Sequence, residues 1–154
     1  LAIGARSAAG ELIAHYGGMS RAIEFFGQPA MAVQIGDVMV APEARGVLSR
    51  SGPFALMAAT FLARNIGYET PHLVGFGFPN VRAMRLGEKL GLYAQVDQIM
   101  ELSWPAAKRM PYWCKTRPID WFLPDTARAL ERLWTRMRDD LTHFVVPRRD
   151  ARNI

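Results

Sequence analysis

Between Gly36 and Gly52 the chain gathers groups suited to holding an anion. Met31 to Val40 reads as a long, apolar strand that breaks at Pro42. Arg45 and Gly46 follow, then Arg50, Ser51 and Gly52, and Pro53 opens a segment whose apolar residues recur at helical spacing. A strand, an open turn with free backbone N–H groups and a helix N-terminus together make a site for phosphate or a similar anion. Glycine lets the backbone come close to such a group, and Arg45 and Arg50 add charge. A polar loop leading into a helix is the plainer reading of these residues taken alone.

A second segment lies about thirty residues further on: Gly77-Phe78-Pro79-Asn80, then Ala83, then Glu88-Lys89-Leu90-Gly91-Leu92. Val40, Pro42 and Arg45 in the first segment, with Asn80, Ala83 and Leu90-Gly91-Leu92 in the second, resemble the core of the GNAT acyltransferase superfamily. The resemblance covers roughly residues 10–103. It departs from the family pattern in two places. The small residues that should follow the Arg would fall at Leu48 and Arg50, and a short insertion is needed to bring Gly52 into the first of these positions. The Tyr often found seven residues after the Asn is Gly87 here.

The resemblance implies an α/β fold, an α+β sandwich built on a mixed, mostly antiparallel sheet. A central parallel strand pair would splay apart, and helices would flank it. It implies acetyl-CoA or another acyl-CoA as co-substrate and an amine or amino sugar as acceptor. The pyrophosphate would sit on Arg45, Gly46, Ser51 and Gly52. Met39 and Val40 would offer backbone groups to the pantetheine arm, as strands do to peptide-like ligands. Asn80 would contact the coenzyme through its side-chain amide; its plainer role is a helix cap.

Acylating an amine needs a base to take a proton from the ammonium and an acid for the leaving thiolate. Where some family members carry Glu, the strand before the loop has Gln34 and Asp37, which face opposite sides unless a bulge intervenes. Asp37 is the first candidate for the base, against a carboxylate held in a hydrogen-bond network. His15, on a neighbouring strand, is the second, although a lone strand His more often serves packing. Tyr93 is the substitute for the missing acid, against an ordinary strand aromatic. A module that binds acyl-CoA but has lost its chemistry is the competing reading, and Gly87 favours it. A nucleic-acid-binding protein is a weaker competitor: the pI is about 9.9, but the aromatics are not interleaved with Lys and Arg on a sheet face.

These groups must be positioned by the elements around them. Leu1–Arg6 and Glu11–Tyr16 read as strands joined by the turn Ser7–Gly10, with a bulge at Gly17-Gly18 and a further strand Ala22–Phe26. Gly52-Pro53 starts a helix ending near Gly67, with Phe54, Met57, Phe61, Leu62 and Ile66 on its apolar face. His72–Phe78 reads as a short buried strand. Asn80 caps a helix running to about Leu90, and Tyr93–Leu102 alternates as another strand. Ala127, Leu130, Trp134, Met137 and Leu141 form one stripe of an amphipathic helix over about 124–141. Trp113 to Thr116 suggests a further strand or an extended arm, and Pro147–Asp150 the start of another element. The four Trp residues at 104, 113, 121 and 134 suggest a satellite core rather than an acceptor groove.

At 154 residues, half of them apolar, the chain can build a real core. The division expected is a GNAT-like core over 1–104, truncated at its N-terminus, and a basic extension over 105–154 that could begin a second half. The net charge of +5 lies entirely in that extension, with eleven Lys/Arg against six Asp/Glu, whereas residues 1–104 are balanced at eight each. A solvated face is the plainer account of this excess. The single Cys114 cannot form an internal disulfide and shows no sign of a nucleophile's setting. Three His and one Cys show no metal-ligand spacing. No run is apolar enough to span a bilayer, no leader is visible at Leu1, and the expected location is the cytoplasm.

Overall fold

A computed structural model describes residues 1–45, 51–105, 120 and 123–152. Its core is a five-stranded mixed sheet with helices against it. The first three strands are β1 (Ala2–Arg6), β2 (Leu12–Phe25) and β3 (Gln28–Val40). They form an antiparallel meander. The turn between β1 and β2 closes with Gly10 N–H donating to the Ser7 carbonyl at 2.9 Å. The β2–β3 hairpin turns on Phe26 and Gly27, both in the left-handed region, as a two-residue turn matched to strand twist requires.

Where two strands were expected on either side of Gly17-Gly18, β2 runs through as one strand of 14 residues. The bulge is on its partner instead. His15 pairs with Met39 and Gly17 with Gly36, so Asp37 and Val38 together oppose Tyr16. Asp37 occupies the left-handed region with φ 55°, a conformation that Asp tolerates better than most residues. Gly17 stays in the ladder, and a Cβ there would collide with the His15 ring.

After β3 comes one 3₁₀ turn, Pro42–Ala44, and then α1 (Pro53–Asn65). Gly52 is its N-cap and Pro53 stands at the first helical position, where the missing N–H costs nothing. Ala55, Met57, Ala58 and Phe61 are its buried face. They pack on Ala14, Tyr16 and Val33 of the sheet to form the hydrophobic core. Tyr16, Phe61 and Val33 are fully buried, each worth about 1.5–3 kcal/mol as apolar transfer.

The chain then enters β4 (Val74–Gly77), parallel to β3, and α2 (Val81–Lys89). Pairing runs from Ala32–Val74 to Ile35–Gly77 and stops, while β3 continues to Val40. The two strands therefore diverge at the Val40 end. Among the described residues β4 is the edge of the sheet, so the parallel pair stands at one side rather than at the centre. The strand expected over Tyr93–Leu102 is not formed: the segment has no regular structure and Val96, Ile99, Met100 and Leu102 are exposed. Alternation alone cannot hold a strand without a partner edge.

The remaining elements are α3 (Pro124–Asp140) and β5 (Val145–Pro147). The amphipathic helix falls within a residue of expectation, but of its stripe only Trp134 is buried and Met137 is exposed. Pro147 does not start a new element; it ends β5, which pairs with Ile23–Phe25 of β2. Arg148 then lies between two buried carboxylates, with Nε 2.8 Å from Asp150 Oδ2 and 3.8 Å from Glu24 Oε1. Neither approach has hydrogen-bond direction for that N–H, so the contact is ionic. Trp104 is exposed and not part of a satellite core; positions 113, 114, 116 and 121 lie outside the described residues.

Candidate functional site

A cleft of about 800 Å³ opens where β3 and β4 part. Ile35 to Val38 form one wall and Gly75 to Asn80 the other, with Phe54 and Ile66 of the α1 region, Met84 of α2 and Tyr93 closing it. Its cause is local. The bulge at Asp37-Val38 bends β3, and β4 ends at Gly77, where a Cβ would lie 3.0 Å from the Ile35 carbonyl oxygen. Pro79 follows and carries no N–H with which to extend the ladder. A mostly apolar cleft with a few convergent polar groups is the usual form of a small-molecule site.

Asp37 and Tyr93 line this cleft, and each is paired with a side chain behind it. The first pair is His15 and Asp37, which the bulge brings together. His15 Nδ1 donates to the Asp37 carbonyl oxygen at 2.7 Å and lies 3.6 Å from Asp37 Oδ2. A carbonyl can only accept, so a hydrogen is on Nδ1, and in the neutral ring Nε2 is the nitrogen with the lone pair. The Asp37 side chain is 72% exposed and lines the cleft. Gln34 is not part of this group; it accepts from Arg21 Nε at 2.9 Å.

The second pair is Tyr16 and Tyr93, with hydroxyl oxygens 2.8 Å apart. Adjacent residues of a strand face opposite ways, so Tyr16 points to the α1 side and His15 away from it. The Tyr16 ring packs on Phe61 with centroids 5.1 Å apart, and Phe54 meets Tyr93 edge-on at 6.4 Å. Burial, then the bond to Tyr93, push the Tyr16 hydroxyl far above the ordinary tyrosine range. Burial also raises Tyr93, and the bond from Tyr16 pulls it the other way.

Tyr93 owes its place to Gly87. A Cβ at Gly87 would overlap the Tyr93 ring itself. The Leu92 N–H donates to the Gly87 carbonyl at 2.8 Å and brings the chain back over the helix. The Tyr93 ring thus occupies the space over Gly87 of α2. Tyr16 was not among the candidate residues. Its type and place in a strand gave no signal, because only the fold puts it against Tyr93.

The residues expected to hold the coenzyme are scattered more widely. Asn80 lines the cleft, and its Oδ1 accepts from Ala83 N–H at 2.9 Å, so it caps α2 and keeps its amide hydrogens. Gly52 caps α1 and, having no side chain, makes no side-chain hydrogen bond to the first turn, which lies beside Phe54 of the cleft. Ser51 precedes it and is exposed. Arg45 turns back, its Nε donating to the Val40 carbonyl at 2.7 Å. Met39 and Val40 pair with His15 and Ala14 on the β2 side. Past Ile35 their opposite edge has no partner in β4. Gly46 and Arg50 lie outside the described residues. No group of His, Cys, Asp and Glu among the described residues could hold a metal, and no described helix is long and apolar enough to cross a membrane.

The fold and cleft define a mixed α/β protein with a ligand-sized opening between splayed parallel strands. Among solved structures, the chain is similar to an aminoglycoside acetyltransferase from an uncultured soil metagenomic sample, at 20% identity over 69% of this chain and 65% of that one, with a TM-score of 0.48. It is similar also to an acetyltransferase from Trypanosoma brucei, at 18% identity over 64% and 63% of the two chains and a TM-score of 0.44. This chain spans less than two thirds of the length of either. No family model and no curated protein matches it.

Proposed function

We propose that this cleft binds an acyl-coenzyme A thioester and that the domain transfers the acyl group to an amine. The observation that carries the reading is the parting of β3 and β4 past Ile35 and Gly77, with Asp37, Asn80 and Tyr93 on the walls of the resulting cleft. The free edge of β3 suits an amide-rich arm such as pantetheine. The N-terminus of α1, capped by a glycine, suits its phosphates.

In this reading Asp37, or His15 through Nε2, takes a proton from the ammonium. The free amine attacks the thioester carbon, and strand N–H groups at the bulge stabilise the oxyanion. The C–S bond then breaks, Tyr93 protonates the thiolate, and the nitrogen gives up its second proton to solvent to leave the neutral amide. Gly87 was the feature that favoured a binding module without chemistry. The Tyr93 ring over Gly87 supports the catalytic reading instead, because it offers a phenol at the cleft.

Titration calorimetry with acetyl-CoA and with free coenzyme A tests the binding step. Gly52→Asp puts a carboxylate where phosphate should sit, and affinity should fall about tenfold or more. Unchanged affinity would remove the α1 N-terminus from the site. Coenzyme binding without turnover on any amine or amino sugar would leave only the binding module.

A further inference from the structure

Tyr16 sits on the central strand β2, opposite the bulge, with none of its surface exposed. A buried hydroxyl must place its hydrogen on an acceptor or bear a cost of about 1–3 kcal/mol. Among the described residues the only hydrogen-bond partner of Tyr16 Oη is Tyr93 Oη, at 2.8 Å. Tyr93 has a choice that Tyr16 lacks, because it lines the cleft and its own hydrogen can be directed there. If Tyr93 donated, the Tyr16 hydrogen would be stranded in the core among Phe54 and Phe61. The bond is therefore satisfied in one direction only.

We propose that Tyr16 is a positioning residue: it donates its hydroxyl hydrogen to Tyr93 Oη, which turns the Tyr93 O–H toward the cleft and eases the loss of its proton. The role rests on the acyl-transfer reading of the cleft. When the acyl–sulfur bond breaks and the acyl–nitrogen bond forms, the thiolate takes the Tyr93 proton. The tyrosinate left behind keeps the hydrogen bond from Tyr16 until solvent returns a proton. Tyr16 touches neither substrate; it acts through Tyr93. Among the described residues the other titratable group lining the cleft is Asp37, and His15 contacts it from behind. They are unchanged by a substitution at Tyr16.

The direction of the bond is decided by titrating Tyr93 through its ¹³Cζ resonance, assigned with Tyr93→Phe, in the whole domain. If Tyr16 donates, Tyr16→Phe removes a stabiliser of the tyrosinate and the Tyr93 midpoint rises by about one pH unit. If Tyr93 donates, the same change removes an acceptor from the neutral phenol and the midpoint falls. A fall, or no change, overturns the proposal. Should Tyr16→Phe not fold, 3-fluorotyrosine at position 16 keeps ring and hydroxyl but strengthens the donor, and the Tyr93 midpoint must drop. In turnover, Tyr16→Phe should lower kcat with KM unchanged, and should have no further effect in the Tyr93→Phe background. An effect of equal size in both backgrounds would mean a role not exerted through Tyr93. A wild-type domain with no turnover sinks the acyl-transfer reading, and with it the role given to the pair, whatever the titration shows.

Discussion

The two pairs at the cleft are built in opposite ways. Tyr16 and Tyr93 meet inside an aromatic cluster, with Tyr16 fully buried and both hydroxyls raised by loss of water. His15 and Asp37 meet at the surface, with side chains 25% and 72% exposed. The first pair is fixed by packing, so its geometry is stiff and its proton affinity is set by the core. The second is fixed by backbone shape: the bulge and the left-handed Asp37 place the groups. A polar pair in the core must satisfy itself completely, whereas an exposed pair need only be aimed.

Four substitutions would break or sharpen that contrast. The largest effect is expected at Asp37. Asp37→Asn keeps the shape and removes a proton acceptor, and turnover should fall roughly 10²-fold. An unchanged rate with normal acyl-CoA binding would pass the base to His15 Nε2. Next is Gly87→Ala, which forces a methyl into the Tyr93 ring. It should cost about 1–3 kcal/mol of stability by overpacking and lower kcat by about tenfold as the phenol is displaced. A melting temperature and rate equal to wild type would show that Tyr93 does not depend on that space.

Tyr93→Phe should cost less than either, about tenfold or below, because a thiolate leaves without strong help from an acid. A loss as large as that of Asp37→Asn would make the buried pair, not the exposed one, the centre of the chemistry. The smallest effect is on stability against pH. The folded value of Tyr16 lies above its unfolded value of 10.0, so the folded state holds its proton more tightly. That contribution is complete below pH 10.0 and is lost as pH rises above it toward the folded value. Thermal stability should fall from about pH 10 upward, and Tyr16→Phe should flatten that decline. An equal slope in the variant would contradict the burial of this hydroxyl.

Much of the scaffold could be read from the residues. The Pro53 start of α1, the Asn80 cap of α2 and the extent of α3 are local signals, since a cap or a fixed φ depends on a few neighbours along the chain. The parallel β3–β4 pair followed from a helical crossover of suitable length. The bulge was placed on the wrong strand because glycine marks where a bulge is permitted. Which strand carries the extra residue depends on the register of two strands at once. The segment after Tyr93 had the pattern of a strand, yet pattern states which face would be apolar, not whether an edge is there to receive it.

By itself the sequence determined the proline start of α1, the Asn80 cap of α2, the strand–helix–strand order β3–α1–β4 and the absence of a ring at position 87. Each depends on residue type or short spacing, which local sterics and hydrogen bonding translate directly into structure. Only the tertiary structure decided that Tyr93 fills the space over Gly87, that Tyr16 meets it at 2.8 Å, and that His15 reaches Asp37. Those contacts join residues 77 and 22 positions apart. Their energies come from packing and desolvation, which exist only once the sheet and helices have closed on one another.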